Sequence, residues 1–228
     1  DGVPDSSISI NMVASLSYYY SIVEPGTYMY HCHVEATEHM QMGMLGNLYV
    51  HPRQDGTPYI YQGKTYTTFV YNDGDGSTGY DVEYPIQIGS FDHNFHDASL
   101  AIQPLPFADM RDTYPMLNGR GYPDTINPAA LPAPVDNGNK VSQPVSSLIT
   151  ATAGQKILLR ISNLNVTRFH TLSLLGLPMK VVGSGARLLR GPDGRDLYYD
   201  TGSVTLGGGE AVDVLVDTTG AAPGRYFL

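Results

Sequence analysis

The segment His31-Cys32-His33-Val34-Glu35-Ala36-Thr37-Glu38-His39-Met40-Gln41-Met42-Gly43-Met44 concentrates most of the chemistry in this chain. It holds the single cysteine between two histidines, with a third histidine seven residues on and a methionine five residues after that. Thiolate, imidazole and thioether together are the donor types of a blue-copper electron-transfer centre, which takes Cys, two His and a weak axial Met. Judged singly, each residue reads as packing, because a lone buried Cys behaves as a small hydrophobe. Four donors within nine positions read as a metal site. Zinc is the poorer fit, since its structural sites draw on closed tetrahedral sets with several Cys or carboxylates. The two imidazoles that flank the cysteine exceed what one blue centre needs and point to a second metal nearby.

The elements that must position these donors follow from local pattern. Thr27–Val34, after the turn at Glu24-Pro25-Gly26, reads as a β-strand rich in Thr, Tyr and Met. Strand side chains alternate between faces. Cys32 is therefore expected to share an inward, apolar face with Tyr30 and Val34, with His31 and His33 together on the other. One strand then serves two metals.

His-Cys-His, a following His and Gly-Met, ending in Gly43-Met44-Leu45-Gly46-Asn47-Leu48-Tyr49-Val50, resemble the copper signature of multicopper oxidases. Asp1-Gly2-Val3-Pro4 and Pro25–His31 are similar to the approach to that signature in laccase-like proteins. The resemblance implies Cys32 and His39 as type 1 copper ligands with Met44 axial, and His31 and His33 as ligands of the type 3 pair in a trinuclear cluster. The complete protein would thus hold type 1, type 2 and type 3 copper. It would oxidise a small reducing substrate, a phenol or a metal ion, and reduce O2 to water. The spacing departs from laccases, which leave three residues before the next type 1 histidine where this chain has five, Val34 to Glu38. Copper nitrite reductases share the longer loop and a ligand before the cysteine, and form one alternative; His33 favours the oxidase. A non-catalytic cupredoxin electron carrier is the other. Met40 and Met42 read as adaptable packing of the loop, with extra Cu(I) ligation as the alternative.

The remaining sequence sets the scaffold. With 228 residues, 25 Gly, 16 Pro and 17 Tyr, and short Val/Ile/Thr/Tyr runs between turn residues, the chain reads as all-β, two tandem cupredoxin-like Greek-key sandwiches. Residues 1–52 would be the C-terminal part of a copper-binding domain, with a strand at Tyr18–Tyr20, the copper strand and a strand at Leu45–Val50. That is about half of a seven-stranded sandwich. Residues 53–228 would be a second, copper-free domain lacking its last strand or strands. On this reading the chain is a fragment, inactive alone. Its copper sites would be completed by missing domains of the same protein or by a neighbouring subunit. The net charge of −9 argues against a nucleic-acid partner, and no membrane-length apolar run occurs. The resemblance implies a periplasmic or extracellular location.

Within the second region, Thr65–Tyr71, Ile86–Ser90 and Gly154–Asn163 read as strands, and Val204–Val216 as a hairpin-like pair turning at Gly207–Glu210. Asn72–Ser77 reads as a solvated loop, too short for a calcium-binding loop. Met116–Gly121 resembles the Leu-Ile-Asn-Gly-Arg stretch of the second laccase domain. His170, in His-Thr-Leu-Ser-Leu-Leu, stands where copper-bearing domains of the family carry a histidine-rich run, and reads as structural. His93 and His96, in Phe91-Asp92-His93-Asn94-Phe95-His96-Asp97, read as a surface loop or an accessory metal site.

Overall fold

The structure, a computed structural model, describes residues 8, 10–101 and 104–228. The chain runs through β1 (Gly26–His31), α1 (Ala36–Gln41), β2 (Leu45–Val50), β3 (Tyr59–Tyr61), β4 (Lys64–Tyr66), β5 (Val82–Phe91), α2 (His93–Ser99) and β6 (Tyr114–Leu117). It continues through β7 (Lys156–Asn163), β8 (His170–Ser173), β9 (Met179–Ser184), β10 (Arg187–Leu188), β11 (Tyr199–Thr201), β12 (Ser203–Leu206) and β13 (Ala211–Asp217). The architecture is all-β, with short helices at loop positions. Among the described residues no helix is long and apolar enough to cross a membrane.

One seven-stranded sheet runs in the order β10-β9-β13-β7-β5-β6, with β11 also paired to β9. The β5–β7 pairing is parallel and the others are antiparallel. Strand β7 is buried along its whole length, as expected of a central strand covered on both faces. Ile157, Leu159 and Ile161 enter the main core with Ile86, Val181, Leu206 and Val214. The opposite face of β7 carries Leu158 into a smaller cluster with Val70, Tyr71, Val182 and Leu215.

On that same outer face lies the antiparallel hairpin β1–β2, in register from Gly26↔Val50 to His31↔Leu45. Its seam with the sheet is polar. Thr27 Oγ1 donates to Asp213 Oδ1 at 2.6 Å, and Ser162 Oγ donates to Asn47 Oδ1 at 3.0 Å. The Arg160 guanidinium lies 5.6 Å from the Tyr49 ring centre, a cation–π arrangement. Arg160 is 1% exposed and bonds Glu83 Oε2 through Nε at 3.0 Å, while its Nη1 stands 3.7 Å from Asp213 Oδ1. Burial pushes the Asp213 carboxyl up; Arg160 and the hydroxyls of Thr27 and Tyr71 act against that rise. Gly26, at φ +142°, sits where any Cβ would come within 2.7 Å of Ala186 Cα, so the hairpin root fits only without a side chain.

Several local expectations are corrected. Tyr18–Tyr20 forms no strand: its backbone finds no ladder partner, and Tyr18 and Tyr20 stack on each other with ring centres 6.2 Å apart. The strand expected across Thr65–Tyr71 ends at Tyr66, and Phe69 keeps only an isolated bridge to Gly79. β12 and β13 are not paired with each other: β12 pairs β8 while β13 lies between β7 and β9. The Gly207–Glu210 turn carries the chain from one sheet to the other, because β13 already has a neighbour on each edge. The Asn72–Ser77 loop is not simply solvated. The Asp73 side chain, nearly buried, accepts from the backbone N–H groups of Asp75, Gly76 and Thr78 and from the Gln54 amide. Arg120 of the Asn-Gly-Arg stretch is fully buried and gives all its hydrogen bonds to the carbonyls of Asp124, Asn127, Ala129 and Gln143.

Candidate metal centre

β1 ends at His31, three residues earlier than the strand reading, and Cys32 and His33 follow it directly. Glu35, in the left-handed region at φ +51°, turns the chain into α1, whose sequence Ala-Thr-Glu-His-Met-Gln holds mostly good helix formers. The five residues between His33 and His39 thus hold a turn and the first turn of this helix. Three backbone hydrogen bonds lock the result. His39 N–H donates to Glu35 O at 3.1 Å, Met44 N–H to His39 O at 2.9 Å, and Cys32 N–H to Met44 O at 3.0 Å. The three residues assigned to one metal are therefore joined through their main chains.

Cys32 Sγ lies 3.1 Å from His39 Nδ1 and 3.2 Å from the Val34 carbonyl oxygen. His39 Nε2 points the other way, 3.7 Å from Glu35 Oε2. A first-row metal bonded at about 2.0 Å to an imidazole and about 2.3 Å to a thiolate would subtend roughly 90° across such a gap. A trigonal blue-copper site needs about 120° and so about 3.7 Å, which places the two groups near enough to share a metal once they open by about 0.6 Å. Met44 is 53% exposed, with its backbone tied to both other donors. Among the described residues no three His, Cys, Asp or Glu side chains converge on one point.

His31 and His33 do share a side, with ring centres 5.5 Å apart and planes tilted by 39°. His31 Nδ1 contacts the Cys32 carbonyl oxygen at 2.7 Å, which makes Nδ1 the protonated nitrogen and leaves Nε2 as the lone-pair donor. His31 also lines a cavity of about 270 Å³ shared with Thr37, Met40, Asn165 and Gly208. Gly208 is needed there, since a Cβ would meet the Asn165 carbonyl oxygen at 2.3 Å. The opposite face departs from expectation. Tyr30 is 63% exposed, Val34 is exposed and Cys32 is only half-buried, because among the described residues no second sheet covers this two-stranded ladder. Met40 borders the cavity and Met42 is half-buried.

The accessory histidines do not form a metal cluster with each other. His93 and His96 sit on α2, not on a loop; His93 meets the Tyr114 ring edge-on and His96 the Phe91 ring, at 5.7 and 4.1 Å. Each imidazole is taken up by aromatic packing, and no third donor joins them among the described residues. Burial holds the His96 imidazole below its ordinary range, partly offset by the Gln41 backbone and by Asp92, Asp97 and Asp112. His170 Nε2 accepts from the Asn165 side-chain amide at 3.1 Å.

Sequence reasoning missed three residues at this site. Arg160 had a visible signal, a cation inside the apolar run Ile-Leu-Leu-Arg-Ile. Asp213 likewise interrupts Val-Asp-Val-Leu-Val. Gln41 gave none, because a glutamine on a six-residue helix reads as solvent-facing.

The fold is of the cupredoxin type, with a cysteine thiol set against an imidazole. Residues 1–54 and residues 108–228 each match a family model described as multicopper oxidase. The second match alone spans more than half the sequence, and the chain belongs to the multicopper oxidase family. Homologues in this family bind copper at type 1, type 2 and type 3 centres. Among solved structures the chain is similar to a blue copper oxidase from Nitrosomonas europaea, at 18% identity and a TM-score of 0.60 over 91% of this chain and 49% of that one. It is also similar to a laccase from Botrytis aclada, at 17% identity and a TM-score of 0.53 over 89% of this chain and 30% of that one. A third likeness is to Fet3p, a multicopper oxidase that functions in iron import, at 18% identity and a TM-score of 0.51, over 89% and 29% of the respective chains. The chain thus spans about half the length of the first of these and less of the others. No curated protein matches it.

Proposed function

We propose that this chain belongs to an oxidase that withdraws single electrons from a small reducing substrate, a phenol or a metal ion, and delivers four of them to O2 to give water. The observation that carries the reading is the 3.1 Å approach of Cys32 Sγ to His39 Nδ1, one residue away from two imidazoles that share the other side of the strand. Copper, when bound, supplies the one-electron redox chemistry. Cys32 and His39 would hold the type 1 ion with Met44 as the weak axial donor, and His31 and His33 would serve the cluster. The remaining ligands would come from other domains of the same protein or from a neighbouring subunit. A periplasmic or extracellular site of action is part of the same proposal.

The residues themselves suit these roles. His39 turns Nδ1 toward the Cys32 sulfur and leaves its Nε2 edge toward Glu35 and solvent, where a substrate can approach. The hydrogen bond from His31 Nδ1 to the Cys32 carbonyl fixes the imidazole tautomer. It also joins the two ligand sets by a route shorter than the covalent chain between the side chains.

The test uses the full-length gene product, with copper counted per chain, the visible spectrum recorded and O2 uptake followed with a phenol and with Fe(II). His33→Ala is expected to abolish O2 uptake and preserve the blue absorption. Loss of the blue band in that variant would overturn the division of ligands, and nitrite reduction without O2 uptake would overturn the acceptor.

A further inference from the structure

Only one residue of α1 is buried, Gln41, at 6% exposure, two positions after His39 and three before Met44. Its side chain spans the gap between the ligand loop and the copper-poor domain. Nε2 donates to Asp112 Oδ1, and Oε1 accepts from the Asp92 backbone N–H at 3.3 Å. Both aspartates are buried. Asp112 is held from its far side by the Thr167 hydroxyl, which donates to Oδ2. Asp92 caps α2, with Oδ1 accepting from Asn94 and Phe95 N–H, and its Oδ2 accepts from Arg111 N–H at 2.6 Å. Two separated segments, at Asp92 and Asp112, therefore meet on one amide, and a third, at Thr167, backs Asp112. Neither Asp92 nor Asp112 belongs to the candidate metal centre.

The loop needs such an anchor. Its internal hydrogen bonds set the donors relative to one another, yet most of its residues are exposed or half-exposed, and the face of β1–β2 turned away from the large sheet has no covering sheet among the described residues. A side chain hydrogen-bonded at both ends of its amide, in a buried setting, fixes position far better than apolar contact does, because each misplaced bond leaves a polar group unsatisfied. We infer that Gln41, through Asp112 and Thr167, is the positioning residue by which the second domain holds the His39–Met44 segment at the angle its copper centre requires. This inference rests on the reading of Cys32, His39 and Met44 as ligands of one copper.

Gln41→Met keeps the volume and removes both hydrogen bonds, and Asp112→Ala removes the anchor. Asp112→Asn keeps an acceptor for Gln41, with its amide group left to meet the Thr167 hydroxyl oxygen. Two measurements are made on the full chain. In the copper-free protein, the rate at which Cys32 reacts with a disulfide reagent reports opening of the loop. Loss of a hydrogen bond to a carboxylate should raise it about tenfold in Gln41→Met and in Asp112→Ala, and leave it near wild type in Asp112→Asn. In the copper-loaded protein, the thiolate-to-copper absorption and the electron paramagnetic resonance hyperfine splitting should move in the first two variants and stay in the third. The double variant Gln41→Met/Asp112→Ala should be no worse than either single one. Wild-type rates and spectra in Gln41→Met would overturn the proposal, as would equal disturbance by Asp112→Asn. If the wild-type protein takes up copper without a thiolate-to-copper band, the ligand reading fails; the thiol rates then decide alone whether Gln41 anchors the loop.

Discussion

Replacing Arg160 by Met tests how the β1–β2 hairpin is held on the sheet. Met retains much of the reach and bulk of the arginine stem and removes the charge. Arg160 Nη1 stands 3.7 Å from Asp213 Oδ1, a separation for which Coulomb's law at an effective dielectric of about 20 gives roughly 4.5 kcal/mol. The Glu83 contact adds little, because that carboxylate is partly solvated. Asp213 is only 1% exposed, so in Arg160→Met its charge keeps only neutral donors, the hydroxyls of Thr27 and Tyr71 and the Thr27 backbone N–H, and breaking a buried pair in this way costs about 3–5 kcal/mol. With a urea slope of about 2–3 kcal/mol/M, the unfolding midpoint should fall by about 1–2.5 M. The companion Arg160→Met/Asp213→Asn should recover at least about half of the loss, because an asparagine still accepts from Thr27 and carries no charge to orphan. The assay is urea unfolding of the full chain followed by circular dichroism. A loss below about 1 kcal/mol in the single variant, or a double variant whose cost equals the sum of the two single ones, would refute the account.

Gly26→Ala should lower stability by about 1–3 kcal/mol, since φ +142° and the 2.7 Å approach to Ala186 both exclude a methyl group; an unchanged thermal midpoint would contradict this. Ile161→Ala, at the centre of β7 and fully buried, should cost about 2–5 kcal/mol in urea unfolding, and a smaller loss would mean that the core collapses around the site. Burial keeps the folded-state value of His96 below the ordinary 6.5, so the unfolded chain takes its proton first as pH falls. Stability should therefore be fully present above about pH 6.5 and decline as pH drops through the folded value, and His96→Gln should flatten that slope between pH 7 and 5. Identical slopes in the two proteins would argue against it.

What the sequence disclosed, it disclosed where chemistry and period coincide. The segment from His31 to Met44 stood out because thiol, imidazole and thioether are rare enough together to mean something, and the structure brings Cys32 beside His39 and His31 beside His33. The pairing of His31 with His33 followed from strand alternation alone. The strands read at Ile86–Ser90 and Gly154–Asn163 were legible, the second forming from Lys156, because a run of branched apolar residues has few other places to go. The inward face assigned to Tyr30 failed because alternation tells which residues share a side, and not whether anything covers that side. The hairpin expected of β12 and β13 failed for a related reason: two adjacent strands with a tight glycine turn look the same whether they pair or part to different sheets. Gln41 and Asp112, 71 positions apart, carry no local pattern, and only tertiary structure brings the amide to the carboxylate.

The hydrogen bond from Thr27 to Asp213 links residues 186 positions apart. A chain emerging at about 5–20 residues per second exposes Thr27 and the ligand loop some 10–40 s before the strand that receives them. During that interval the cysteine and its histidines are displayed on a loosely held hairpin, and seating awaits the late arrival of β13. Synthesis itself thus sets an order of events in which the seating of this hairpin comes last. On the proposed ligand reading, a copper ion met too early would find the thiol and the imidazole with no wall behind them.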